Sequence, residues 1–304
     1  MDFTDKTAIV TGAGKGIGRA IAEGLAARGA SVVVNNRSRD GIDSAGDVVS
    51  AIEQAGGCAV AERSSVEAPG ASEAMVEAAL SSFGRLDLVV ANAAVVHRGR
   101  FVNAEIDHFR QVMEIDFMAP AALARAALPE IRARSGRMLF VTSAAGTYGE
   151  FGASSYAAAK GAVAAFAKTL ALEHARDEVM VNLLAPFALT QMTEGFMTDE
   201  QAEMLRPELV VPAALWLLSD EVTVSGATVV AAGNRFRTVV TGETRGVAFP
   251  GLEVVADDDF VAAVGALSSE EGWKSFSDGS AAFTELVSSA APSAHEPEVK
   301  PDVE

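Results

Sequence analysis

Three side chains near the middle of the chain have the types and spacing to pass a proton to and from a carbon-bound oxygen: Ser143, Tyr156 and Lys160. A phenol ordinarily keeps its proton to about pH 10, so it serves as a base near neutrality only beside a cation that stabilises the phenolate. Tyr156 and Lys160 stand at i and i+4 of a stretch that reads as one helix, and residues so spaced share a face, which sets the ammonium beside the hydroxyl. Ser143 follows Arg137-Met138-Leu139-Phe140-Val141-Thr142, an apolar run that reads as a buried strand. Its hydroxyl then falls at the carboxyl end of that strand, where open α/β sheets hold their ligands. A Tyr-x-x-x-Lys pair also arises by chance in many helices, so the spacing needs support from the rest of the chain.

That support comes from the amino-terminal stretch. Residues 6–18 read as a short apolar strand, a glycine-rich turn and the start of an Ala-rich helix near Gly16. Glycines let a backbone approach a pyrophosphate closely and aim N–H groups and a helix N-terminus at it. The spacing, Thr11-Gly12-x-x-x-Gly16-x-Gly18, departs from G-x-G-x-x-G, and a glycine-rich turn can be no more than a tight turn. Its place between a first strand and a first helix favours the phosphate-binding reading.

The elements that must position these residues follow from pattern. Strand signals near 7–11, 31–35, 58–61, 86–91, 137–142, 179–184 and 226–231 alternate with helical stretches. Most are short Val/Ile/Leu/Ala runs, as expected of parallel strands covered on both faces. The expected architecture is α/β: a Rossmann-type, doubly wound, parallel seven-stranded sheet with helices on both faces, forming a catalytic domain over 1–232. Residues 233–287 carry scattered apolar groups and are expected to form a C-terminal extension packed on that domain. Residues 288–304, rich in Pro, Glu, Ala and Ser, read as a disordered tail.

Composition excludes several classes. A net charge of −17 over 304 residues argues against nucleic acid and anionic membrane surfaces as partners. Cys58 stands alone, so no internal disulfide framework is expected. No signal pattern or bilayer-length apolar run is present in the sequence, and a cytoplasmic location is expected. The four histidines, His97, His108, His174 and His295, lack metal-ligand spacing, so no metal is expected.

Taken together, Thr11-Gly12-x-x-x-Gly16-x-Gly18, Asn92-Ala93, Ser143, Tyr156-x-x-x-Lys160 and Val181-Asn182-x-x-x-Pro186 stand in the order seen in the short-chain dehydrogenases/reductases, which the chain resembles over about residues 4 to 232. The resemblance implies an oxidoreductase with Ser143, Tyr156 and Lys160 as catalytic residues. It implies a nicotinamide cofactor held by Gly12, Lys15, Gly16, Ile17, Gly18, Asn36, Arg37, Ser64, Asn92, Ala93, Tyr156, Lys160, Pro186 and Thr190. A fourth catalytic position of the family, an Asn whose main chain holds a water on the proton path, corresponds here to Asp116 in Glu114-Ile-Asp-Phe117. Two further departures are Asn92-Ala93-Ala94 in place of Asn-Ala-Gly, and Phe187 in place of the common Gly after Pro186.

A narrower resemblance runs through Ser143–Gly152 and Leu205–Leu217, to the dehydrogenase domain of the peroxisomal multifunctional β-oxidation enzymes and their bacterial single-domain counterparts. It implies a (3R)-hydroxyacyl-CoA substrate, on a fatty or steroid side chain. Arg235, Arg237 and Arg245, with Phe187, are then candidates for contacting such an acyl-CoA, although each arginine can equally be an ordinary surface cation. A carbonyl reductase acting on a steroid or a carrier-bound 3-oxoacyl group is the alternative. A non-catalytic cofactor-binding sensor or scaffold is the alternative from another class.

An acidic residue ending the second strand would select NAD by bonding its ribose diol. Here the strand runs into Asn35-Asn36-Arg37-Ser38-Arg39, with no carboxylate before Asp40, so Arg37 and Lys15 favour the 2′-phosphate of NADP, while the narrower resemblance favours NAD. The family resemblance also implies a homodimer or homotetramer, paired through long helices near 105–134 and 154–177.

Overall fold

The computed structural model describes residues 1–38, 41–188, 198–249, 254–267 and 272–290. Strands and helices alternate from the start: β1 (Thr7–Val10), α1 (Gly16–Ala26), β2 (Ser31–Asn35), α2 (Ser44–Gln54), β3 (Cys58–Glu62), α3 (Ala71–Phe83) and β4 (Leu88–Ala91). The second half continues with α4 (Ile106–Met113), α5 (Ala119–Ala133), β5 (Arg137–Val141), α6 (Ala144–Tyr148), α7 (Ser154–Glu173), β6 (Met180–Phe187), α8 (Asp199–Met204), α9 (Val211–Leu218), β7 (Thr228–Ala232) and β8 (Arg235–Val239).

The strands form one sheet in the order β3-β2-β1-β4-β5-β6-β7-β8. The seven expected strands pair in parallel, and β8 adds an eighth, antiparallel to β7, which the sequence reading assigned to the extension. Arg235, Phe236, Arg237 and Thr238 are all exposed on β8. Charged side chains on an edge strand discourage pairing with another sheet.

Alternation along the strands explains the two layers. Ala8, Val10, Val32, Val34, Leu139 and Val141 face one way and pack with α1, α2 and α9. Ile9, Val33, Met138 and Phe140 face the other way and pack with α3, α5 and α7. A strand buried on both faces has no polar side, which is why these runs are apolar throughout. The order reverses between β1 and β4, so their carboxyl ends flank the crevice where doubly wound sheets bind ligands.

The chain divides into two units after Val239, so residues 233–239 belong with the sheet. Within the second unit, Gly242–Glu243 pairs antiparallel with Lys274–Ser275, and helices span Asp257–Leu267 and Gly279–Ala290. The last helix takes in 288–290, the first residues of the expected tail, while 291–304 lie outside the described residues. Among the described residues, no helix is long and apolar enough to cross a membrane.

Candidate active site

The glycine turn is shaped by close packing at the β1/β4 boundary. Gly12 has φ +61°, and a Cβ there would lie 2.8 Å from Ala93 Cα; one on Gly18 would lie 2.5 Å from Asn92 Nδ2 and from the Gly12 carbonyl oxygen. At Gly12 only glycine satisfies both the backbone angle and the space, and at Gly18 the space alone excludes a side chain. Thr11 Oγ1 accepts from the main-chain N–H of Asn92 (2.9 Å) and of Ala93 (3.1 Å), and Asn92 Nδ2 donates to the carbonyls of Thr11 (2.9 Å) and Gly12 (3.2 Å). The Asn92 amide therefore fixes the turn from within. The resulting cradle, lined by backbone and closed by the N-terminus of the eleven-residue α1, suits a dinucleotide pyrophosphate.

Ser143 follows β5 and caps the short α6, its Oγ accepting from Ala145 N–H at 3.1 Å, which leaves its own hydrogen for donation. Tyr156 and Lys160 lie on α7 as the spacing predicts, with Lys160 Nζ 5.6 Å from the centre of the Tyr156 ring. Lys160 is 2% exposed, and its Nζ donates to the Val141 carbonyl at 3.0 Å. Two further ties hold the Ser143 segment to the Lys160 turn. Thr142 Oγ1 donates to the Lys160 carbonyl at 2.9 Å, and a Cβ on Gly146 would lie 2.6 Å from the Lys160 carbonyl carbon, so α6 rests directly on α7. Thr142 and Gly146 escaped the sequence reading; their adjacency to Ser143 was the signal.

Asp116 lies in a π-helical turn, Glu114–Met118, joining α4 to α5, so the expected long helix over 105–134 is interrupted. Pro120 has no N–H to give the Asp116 carbonyl four residues earlier, and the helix widens at this junction. The family resemblance concerned the main chain of this position. The structure adds the side chain: Asp116 is fully buried, Oδ1 accepts from Val95 N–H at 2.8 Å, and Oδ2 lies 3.6 Å from Lys160 Nζ with no hydrogen-bond partner. Burial pushes the Asp116 carboxyl above its ordinary range, opposed by the Lys160 charge and the Val95 N–H.

At the end of β2, buried Asn35 donates to Glu62 Oε2 (2.6 Å) and the Ser64 carbonyl (3.0 Å), and Ser64 Oγ donates to Glu62 Oε1 (2.6 Å). The Ser64 hydroxyl is thus engaged with Glu62. Asn36 Nδ2 donates to Ser44 Oγ at 2.7 Å, and its side chain lies where a Cβ on Gly14 would fall, 2.7 Å away. Arg37 is 44% exposed with Nη1 3.9 Å from Glu67 Oε1. Lys15 stands at the N-cap of α1.

Asn182, from the Val181-Asn182-x-x-x-Pro186 motif, is fully buried; it donates to the Val224 carbonyl (2.8 Å) and accepts from Ala227 N–H (3.0 Å), fixing the approach to β7. Pro186 and Phe187 end β6, Phe187 47% exposed. Arg235 and Arg237 lie on β8 in the first unit, whereas Arg245 belongs to the second and packs against Gly272. Thr190 lies outside the described residues. Among the described residues, no group of three His, Cys, Asp or Glu side chains could hold a metal.

Comparison with known proteins agrees with this geometry. Residues 6–201 match the short chain dehydrogenase family. A peroxisomal hydratase-dehydrogenase-epimerase of Neurospora crassa is 39% identical over 223 residues, 73% of this chain and 24% of that protein. The chain thus spans about a quarter of that relative's length. A putative short-chain type dehydrogenase/reductase of Mycobacterium tuberculosis is 36% identical over 262 residues, 83% of this chain and 92% of the relative. The solved structure of full-length peroxisomal multifunctional enzyme type 2 from Drosophila melanogaster superposes with a TM-score of 0.82 at 26% identity, covering 95% of this chain and 50% of the other.

Proposed function

The chain belongs to the short chain dehydrogenase family and is an oxidoreductase acting on CH–OH groups, and from that premise we propose that it interconverts a (3R)-hydroxyacyl thioester and the 3-oxoacyl thioester. The observation that carries the reading is the buried Lys160 ammonium, held by the Val141 carbonyl at the end of β5 and set against the Tyr156 ring.

The bound nicotinamide would accept the hydride in oxidation and supply it in reduction. Tyr156 Oη takes the proton from the substrate hydroxyl in oxidation and returns it in reduction. Lys160 stabilises the phenolate by its charge. Ser143 Oγ donates to the substrate oxygen and stabilises the charge that develops on it. The main-chain cradle of residues 12–18 would hold the pyrophosphate, and Asn36, Arg37 and Lys15 would hold the adenosine ribose. Neutral Asn35 and Asn36 at the end of β2 place no carboxylate against a 2′-phosphate, which favours NADP. Phe187 and the Arg235/Arg237 strand are the candidates for contacting the acyl-CoA.

The substrate assignment rests on the similarity to a hydratase-dehydrogenase-epimerase and on the Ser143–Gly152 stretch. Its test is the initial rate of reduced-cofactor formation with a (3R)-hydroxyacyl-CoA, using NAD and NADP in parallel and Tyr156→Phe as control. Turnover that disappears in the control is expected. Turnover retained by Tyr156→Phe would overturn the proton-transfer assignment, and no turnover with either cofactor, despite cofactor binding, would overturn the substrate.

A further inference from the structure

Asp116 carries a buried carboxylate oxygen that no hydrogen bond satisfies, 3.6 Å from the one ammonium on which the proposed chemistry depends. Buried acceptors are normally paired, and an unpaired one at a functional site calls for an explanation in terms of what it does there. Lys160 Nζ has three donors, of which Val141 O takes one. Its Nζ lies 3.6 Å from the Asp116 carboxyl and 5.6 Å from the centre of the Tyr156 ring, and with 3% and 0% of the Lys160 and Asp116 side chains exposed, little solvent screens these two charges from each other.

We propose that the Asp116 side chain is a positioning residue that governs how much of the Lys160 charge reaches the Tyr156 oxygen. Ionised, Asp116 divides that charge and weakens its hold on a phenolate; neutral, it leaves the charge undivided. The inference rests on the Tyr156 reading given above and adds to it a second titrating group, one that an asparagine at this position would lack.

The surroundings isolate the effect. Asp107, His108 and Arg110 on α4, Arg125 on α5 and Lys168 on α7 are exposed. Among the described residues, Lys160 is the one charge acting on the Asp116 carboxyl, and the other contact is the uncharged Val95 N–H. Burial raises the carboxyl's own proton affinity, and the Lys160 charge and the Val95 N–H oppose that rise.

The test is the pH profile of kcat/KM for alcohol oxidation in wild type, Asp116→Asn and Tyr156→Phe, with melting temperature and cofactor affinity measured on each. Asp116→Asn keeps the shape and the acceptor for Val95 while removing the charge. The rising limb of its profile should move toward acid by on the order of one pH unit, since an undivided Lys160 charge stabilises the base form of the phenol more strongly. Asp116→Ser, smaller and also uncharged, should move it the same way. Profiles that superimpose on wild type, or a shift toward alkali, would overturn the inference while Tyr156→Phe still abolishes turnover. Activity surviving in Tyr156→Phe would instead sink the underlying reading. Failure of both Asp116 variants to fold would also overturn it, because it would show the carboxylate acting through structure.

Discussion

Thr11 and Asn92, ends of neighbouring strands separated by eighty-one positions in sequence, hold each other by a closed set of bonds: the Thr11 hydroxyl accepts from Asn92 N–H, and the Asn92 amide donates to the Thr11 carbonyl, both at 2.9 Å. The link lies at the sheet's order reversal and directly supports the Gly12 backbone. Both side chains at the β1–β4 boundary are thereby engaged with main-chain groups.

Thr11→Val keeps the shape of a side chain that is 4% exposed but leaves two main-chain donors without their acceptor. Stability should fall by about 1–3 kcal/mol in denaturant unfolding. Cofactor affinity should fall as well, because the cradle loses its support.

Gly18→Val places carbon where Asn92 Nδ2 and the Gly12 carbonyl already stand. Displacing the Asn92 amide should reduce NAD(P)H binding at least tenfold in a fluorescence titration. Unaltered binding would show that the cradle is not where the cofactor sits.

Arg37→Ala should raise the Kd for NADPH about tenfold, the loss of one charge-assisted phosphate contact, and leave that for NADH nearly unchanged. Glu67→Gln, which releases Arg37 from its 3.9 Å neighbour, should favour NADPH further. Equal effects on both cofactors would remove Arg37 from the discrimination.

Asp116 also makes stability depend on pH. With its carboxyl raised in the folded state, the folded chain keeps a proton over an interval in which the unfolded chain has lost it. The unfolded state then binds fewer protons, so this group's contribution falls as pH rises from the ordinary Asp value of about 4 through the folded value, and is flat on either side. The melting temperature of Asp116→Asn relative to wild type should therefore climb with pH across that window. A constant difference would exclude a raised carboxyl.

Ala158, Ala165 and Leu172 are seven residues apart on α7, and Leu172 is 53% exposed in the single chain. Such a stripe would suit the helix pairing expected for a homodimer or homotetramer. Leu172→Arg should then reduce the assembly size seen by light scattering, and an unchanged mass would exclude this face.

The sequence by itself determined whatever depends on short spacings. Tyr156 and Lys160 share a face because a helix repeats every 3.6 residues, and the Thr11–Gly18 turn reads as a phosphate cradle because few residues other than glycine adopt its backbone. The seven parallel strands were legible because burial on both faces demands unbroken apolar runs. Tertiary structure decided what depends on neighbours distant in the chain. Asp116 is a surface-compatible residue type until the π turn before Pro120 sets it against Lys160, forty-four positions later. Ser64 and Asn92, read as cofactor ligands, have polar groups engaged by Glu62 and by the glycine turn, partners that pattern alone does not disclose. Arg235 takes its place in the sheet through the antiparallel pairing of β8 with β7, which the pattern of apolar runs does not announce. Hydrogen bonding and burial are satisfied by whichever group the fold brings near, so a residue's type limits its role and its tertiary neighbours select it.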